Sequence, residues 1–229
     1  MGYLSFDTIC QLSSLQKLSL GYNDLSGPIT PSLNNCTKLQ HLDLAFNYLI
    51  GHIPDFSSLT ELRVLNLSDN AFTGPLAWTI PPNFRNLTEL ANLDFSSNNL
   101  GGDLTELKYL TKLQSLQLFY NQFSGEVPVE FGDFDHLVEL SIYNNMFCGQ
   151  FPQNLGSKSD FDAIDASTNS FTGPIPPNMC RLGKMTYMAL LENQFTGEIP
   201  ASYTSYMTLK RFRVSNNSPT FSLETTDNR

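Results

Sequence analysis

Nine asparagines punctuate the chain at a nearly fixed step: Asn23, Asn47, Asn70, Asn98, Asn121, Asn145, Asn169, Asn193 and Asn217, at intervals of 24, 23, 28, 23, 24, 24, 24 and 24 residues. Each closes the pattern L-x-x-L-x-L-x-x-N or a close variant. A unit this short cannot bury its apolar residues alone. Stacking on identical neighbours does so, and the period therefore predicts a solenoid in which equivalent side chains share a face. Within one unit, Leu137, Leu140 and Ile142 precede Asn145. Leu140 and Ile142 are two apart, the period of a strand with one side buried, so Glu139, Ser141 and Tyr143 face the other way. Asn145 then turns the chain, and its amide is expected to satisfy backbone groups that a buried bend leaves unpaired.

The second half of the unit carries its own mark. Gly51-His52-Ile53-Pro54, Gly125-Glu126-Val127-Pro128, Gly149-Gln150-Phe151-Pro152, Gly173-Pro174-Ile175-Pro176 and Gly197-Glu198-Ile199-Pro200 each begin four residues past their asparagine. Glycine permits the bend and proline fixes the backbone that follows. Together the halves closely resemble the plant-type leucine-rich repeat, L-x-x-L-x-L-x-x-N-x-L-x-G-x-I-P, over residues 4–217. The resemblance implies an α/β-type leucine-rich-repeat solenoid, a right-handed superhelical arc of about nine 24-residue repeats with a parallel sheet on its concave face. Residues 1–14 read as a partial N-terminal repeat, 15–217 as the solenoid and 218–229 as a non-repeat tail.

With a net charge of −9, the chain has no basic footprint for nucleic acid. Charge is uneven: residues 1–180 hold 18 acids and 7 bases, whereas 181–229 hold 4 acids and 6 bases. An anionic ligand group would prefer the C-terminal end. No apolar run reaches the about 18 residues that cross a bilayer, and Met1–Leu20 lacks the basic start and apolar core of a secretion signal. Taken as it stands, the chain would be cytoplasmic. Four N-x-S/T sequons, at Asn35, Asn66, Asn86 and Asn216, gain weight only beside an extracellular repeat type. Of four cysteines, none forms the close pairs that tether repeat caps. They are expected to be mostly reduced, buried thiols, with a Cys10–Cys36 bridge between neighbouring return segments as the alternative.

The 28-residue interval holds an insert reading Trp78-Thr79-Ile80-Pro81-Pro82. A bulged return segment on the convex side is the favoured reading, a ligand-contacting loop the other. Leu4, Phe6, Ile9 and Leu12 are expected to lie over the first turn, and Phe221 and Leu223 to fold over the last strand, since open ends of a solenoid need covering.

Chemistry should lie on the inner face, where the residues between the strand leucines emerge. No cofactor or metal site is expected, and catalysis is not: His41, His52 and His136 sit at different repeat positions, and no acid, base and nucleophile converge. Nine strands at about 4.8 Å span about 38 Å, the length of an extended peptide of about 11–12 residues. Phe46, Phe119, Tyr120, Tyr143 and Tyr187 are expected there as exposed recognition aromatics, with Asp165 and Glu192 among them. The sharpest feature is Leu209-Lys210-Arg211-Phe212-Arg213-Val214. Phe212 and Val214 take core positions, so Arg211 and Arg213 project together, two guanidinium forks about 7 Å apart that suit a carboxylate. Lys210 and Lys184 add to the field.

Phe131-Gly132-Asp133-Phe134, Arg211-Phe212-Arg213-Val214-Ser215-Asn216-Asn217, Phe84-Arg85-Asn86-Leu87-Thr88 and Gly102-Asp103-Leu104-Thr105-Glu106-Leu107 resemble ectodomains of plant receptor-like kinases of subfamily XI, the HAIKU-type and PIP-peptide receptors. That resemblance implies an extracellular or cell-surface glycoprotein that binds a small secreted peptide and recruits a co-receptor. It implies that Arg211 and Arg213 cap the free C-terminus of the peptide; the inner-face positions of Tyr187, Glu192, Tyr143, Phe119, Tyr120 and Asp165 make them the residues expected along its path. The family's N-terminal cap, later repeats, membrane span and kinase are missing from this sequence, so a shortened or decoy receptor is expected, binding without transmission. Two rivals use the same repeat: an inhibitor of pathogen cell-wall-degrading enzymes of the polygalacturonase-inhibitor type, and a bare interaction scaffold.

Overall fold

In the computed structural model, residues 2–3, 6–74, 80–205 and 207–218 are described. One strand per repeat builds a nine-stranded parallel sheet in sequence order. The strands are β1 (Lys17–Ser19), β2 (His41–Asp43), β3 (Val64–Asn66), β4 (Asn92–Asp94), β5 (Ser115–Gln117), β6 (Glu139–Ser141), β7 (Ala163–Asp165), β8 (Tyr187–Ala189) and β9 (Arg211–Arg213). Register is unstaggered: Leu116, Leu140, Ile164, Met188 and Phe212 pair in one line across β5 to β9. The first four of these are buried, which is why each strand holds its alternation.

The asparagine ladder does what the spacing predicts, for two repeats at once. Asn145 Nδ2 donates to the carbonyls of Ile142 (3.2 Å) and Tyr143 (3.2 Å) in its own turn and of Leu118 (3.0 Å) in the preceding repeat. Its Oδ1 accepts the N–H of Phe123 at 2.9 Å. The same four contacts recur at Asn169, Asn193 and Asn217. Each residue just before a ladder asparagine adopts positive φ, from Tyr22 (57°) through Tyr120 (53°) to Glu192 (52°) and Asn216 (57°). This is the bend that aims the carboxamide back into the stack.

Two residues past the asparagine, Phe123, Phe147, Phe171 and Phe195 form a buried pile with successive centroids 6.3, 6.1 and 6.1 Å apart. Flanking ladders of short parallel strands carry the chain around the edge. Glycine then closes the corner: Gly149 and Gly173 both sit at φ +73°, where an L side chain is strained. The return side is built from 3₁₀ turns, at Pro31–Asn35, Pro82–Asn86, Thr105–Tyr109, Val129–Asp133 and Ala201–Ser205. These take more width per repeat than a strand spacing, so the stack curves with the sheet inside. Pro81 and Pro82 open one such turn, where their missing N–H groups cost nothing, and Ile80 is buried beside them. Trp78 and Thr79 lie outside the described residues.

At the N-terminal end, a short helix α1 (Phe6–Ile9) buries Phe6 completely. Leu12 does not join it: the residue is 61% exposed, because the chain has already turned toward β1. Leu4, Phe221 and Leu223 lie outside the described residues. The cysteine expectation needs correcting. Cys10 and Cys36 are disulfide-bonded, because α1 packs on the Pro31–Asn35 turn and brings their Cα atoms to 4.7 Å. Of the other two, Cys148 is exposed and only Cys180 is a buried thiol, pushed up to about 11 by burial.

Candidate functional site

Arg211 and Arg213 flank the half-buried Phe212 in β9 and are both exposed, on the side that the alternation assigns. Both meet Tyr187 on β8. The guanidinium carbon of Arg211 lies 5.8 Å from the centroid of the Tyr187 ring, and Arg213 stands close enough to the hydroxyl for its charge to pull the phenol down. That hydroxyl donates to Asp165 Oδ2 at 3.0 Å, and Asp165 Oδ1 accepts the Ser167 N–H at 3.0 Å. Burial and the Asp165 hydrogen bond push the Tyr187 phenol up, against the opposing pull of Arg213. Three consecutive strands thus present one connected group: a carboxylate on β7, a phenol on β8, and two guanidinium forks on β9 whose remaining N–H donors face solvent.

The aromatics gather in clusters rather than a row. Phe119 and Tyr143 stack across the β5–β6 repeats at 4.8 Å and 7°, with Tyr120 edge-on to both at 5.9 and 5.1 Å. This mutual contact leaves Phe119 and Tyr143 only partly exposed, as Tyr187 also is, against the expectation of fully exposed rings; Tyr120 remains open. Burial, then the neighbouring Tyr120 and Asp165, push the Tyr143 phenol up. Phe46 stands apart, stacked on Tyr22 at 4.2 Å at the far end of the sheet. Glu192 is exposed beside β8 and accepts a hydrogen bond from Thr168 Oγ1 at 2.9 Å.

On the same face, beside Tyr187, lies a shallow depression of about 270 Å³, lined by Gln117, Glu139, Leu140, Ser141, Ala163, Asp165 and Tyr187. Sequence reasoning passed over the device that shapes this row. The last strand residue closes a local turn in several repeats: Asp43 accepts the Ala45 N–H, Asn66 and Asp94 each accept both the N–H and the hydroxyl of the serine two residues on, and Asp165 accepts the Ser167 N–H. The signal was present as the recurring [D/N]-x-[S/A] three residues ahead of the positive-φ position. Burial, only partly offset by Ser96 and reinforced by Asp69 and Asp43, pushes the Asp94 carboxyl up.

The sequons differ in kind. Asn35 and Asn86 end exposed 3₁₀ turns on the return side, and Asn216 is exposed next to β9. Asn66 is half-buried in β3 with its carboxamide oxygen held by Ser68 at 3.0 and 2.8 Å. Among the described residues, no cluster of three or more His, Cys, Asp or Glu side chains has a metal-binding arrangement, and no helix is long and apolar enough to cross a membrane.

With this geometry in hand, comparisons with known proteins agree on the repeat. The Leucine Rich Repeat family model matches residues 14–36, 38–59, 61–87 and 112–134. Receptor-like protein kinase 7 of Arabidopsis thaliana is 39% identical over 132 residues, covering 58% of this chain and 14% of that protein. Receptor-like protein kinase HAIKU2 of the same plant is 46% identical over 76 residues, 33% of this chain and 8% of its own length. The chain therefore spans a small part of the curated relatives it matches. Among solved structures, the Arabidopsis receptor kinase HAESA, in complex with the peptide hormone IDA and the co-receptor SERK1, superposes with a TM-score of 0.89 and 37% identity, over 96% of this chain and 36% of that one.

Proposed function

Taking as premise that the chain is a leucine-rich-repeat solenoid of the kind found in plant receptor-like kinase ectodomains, we propose that its inner face binds an extended secreted peptide whose free C-terminal carboxylate docks on Arg211 and Arg213. The observation that carries this reading is the pair of exposed guanidinium groups on β9, with Arg211 over the Tyr187 ring at 5.8 Å and Arg213 beside it on the same face. Neither arginine forms an ion pair among the described residues. A carboxylate arriving there meets two charge-assisted, fork-shaped donors. The similarity to a hormone-bound receptor supports a peptide as the ligand class. The Cys10–Cys36 disulfide supports an oxidising, extracellular setting. The repeats are a non-catalytic recognition module in this reading.

Selection of a randomised dodecapeptide pool on the immobilised chain tests the proposal. Peptides with free C-termini should be retained, and the same pool carrying C-terminal amides should not. Equal retention of the two pools would remove the arginine pair from the mechanism.

A further inference from the structure

We propose that the depression lined by Glu139 and Asp165 is a subsite for a basic side chain of the same peptide, three or four residues before its C-terminal residue. For its spacing this rests on the docking of the carboxylate at Arg211 and Arg213.

Glu139 on β6 and Asp165 on β7 both open onto the depression. Five ion pairs occur among the described residues, Lys38–Glu61, Arg85–Glu106, Lys108–Glu130, Lys112–Glu89 and Lys158–Asp133, and none uses a residue of the inner strands. Glu139 Oε2 is held only by neutral donors, Ser115 Oγ at 3.3 Å and Gln117 Nε2 at 3.4 Å. Asp165 is held by the Tyr187 hydroxyl and the Ser167 N–H. Two carboxylates thus share a shallow depression whose lining residues include no Lys or Arg, the arginine pair standing on its far side beyond Tyr187.

Aromatic surface beside the carboxylates distinguishes the place from an ordinary acidic patch. The Tyr187 ring forms part of the wall, and the Phe119–Tyr143 stack lies alongside on the β5–β6 repeats. An extended alkyl stem can lie on such rings while its charged head reaches the carboxylates. The Tyr187 ring already carries one cation, Arg211, at 5.8 Å.

The spacing follows from register. Asp165 aligns with Ala189 and Arg213, two strands away, and Glu139 aligns with Ala163, Tyr187 and Arg211, three strands away. At about 4.8 Å per strand these steps are about 10 and 14 Å. An extended peptide rising about 3.1–3.4 Å per residue covers them in about three and four residues. A basic residue there sits over the recess, while one next to the terminus faces the like charge of the arginine pair.

The experiment is positional sequencing of dodecapeptides retained from a randomised pool by the wild-type chain, Glu139→Gln and Asp165→Asn. Asn preserves the acceptor for the Ser167 N–H, and Glu126→Gln on an exposed return segment serves as control. The expected result is about fivefold to tenfold enrichment of Lys and Arg three or four residues from the carboxylate, lost in the first two variants and kept in the control. Peptides retained through their free C-termini with no basic preference at those positions would overturn the subsite and leave the carboxylate docking intact. Basic enrichment that survives in both variants would equally overturn it. If a C-terminally amidated pool shows the same enrichment, the recess binds cations but the arginine docking is wrong.

Discussion

The guanidinium of Arg211 lies 5.8 Å above the ring of Tyr187, while the hydroxyl of that ring is held at 3.0 Å by Asp165. In the proposed docking Tyr187 is a positioning residue: its face carries Arg211, and its hydroxyl, held by Asp165, lies within the field of Arg213. Tyr187→Phe keeps the face and removes the hydroxyl, and should weaken binding of a free-carboxylate peptide about threefold. Tyr187→Ala removes both, and should weaken it about tenfold. Calorimetry against free and amidated forms of one peptide reads the role directly, since a purely structural effect would lower both affinities and leave their ratio unchanged.

The ladder predicts where the fold is most vulnerable. Asn145→Ala withdraws one acceptor and the donors to three carbonyls in two repeats. The expected loss is about 3 kcal/mol, seen as a shift of the denaturant midpoint. Asn145→Asp should cost at least as much, because a carboxylate cannot donate to those carbonyls.

The disulfide closes a loop of 26 residues' separation around the first repeat. In the chain-entropy model it contributes about 3–4 kcal/mol, so Cys10→Ser or added reductant should lower the midpoint of thermal unfolding by several degrees. Iodoacetamide at neutral pH should label the native chain once, at exposed Cys148. Cys180 should react only after unfolding, its thiol being buried and pushed up to about 11.

Asp94 gives a pH prediction with a definite sign. Burial raises its carboxyl in the folded chain, so the folded state binds the proton more tightly than the unfolded one. Stability at this site is therefore greatest below the unfolded value, falls as pH rises to the folded value, and is flat beyond it. Asp94→Asn should be more stable than wild type at neutral pH, the advantage fading on acidification through that window. The third repeat already holds this arrangement, with Asn66 accepting from Ser68 as Asp94 does from Ser96. Urea unfolding at a series of pH values checks both sign and window.

Much of this was legible in the sequence, and the reason is repetition. Leu140 and Ile142 set the strand and its buried side, Asn145 set the turn, and the alternation of Arg211, Phe212 and Arg213 placed both arginines on the inner face. Contacts that depend on what stands one repeat away were harder to read. Phe119 looks like a free surface ring until Tyr143, 24 positions later, stacks on it. Asp165 looks like another acid until the Ser167 N–H and the Tyr187 hydroxyl occupy its oxygens. The pairing of Cys10 with Cys36 depends on how α1 leans on the first return turn, an orientation that no period encodes. The positive φ ahead of every asparagine left no residue preference to detect, since Tyr, Phe, Asp, Ser, Asn, Thr and Glu all occupy it.

The most direct measurement is a two-by-two calorimetric cycle with one selected dodecapeptide, its C-terminus free or amidated, against the wild-type chain and the Arg211→Ala/Arg213→Ala double variant. If the arginines hold the carboxylate, amidation should weaken binding to the wild type about tenfold or more and leave binding to the double variant nearly unchanged. Amidation costing the same in both proteins would contradict the account, because the terminus would then be recognised elsewhere or not at all.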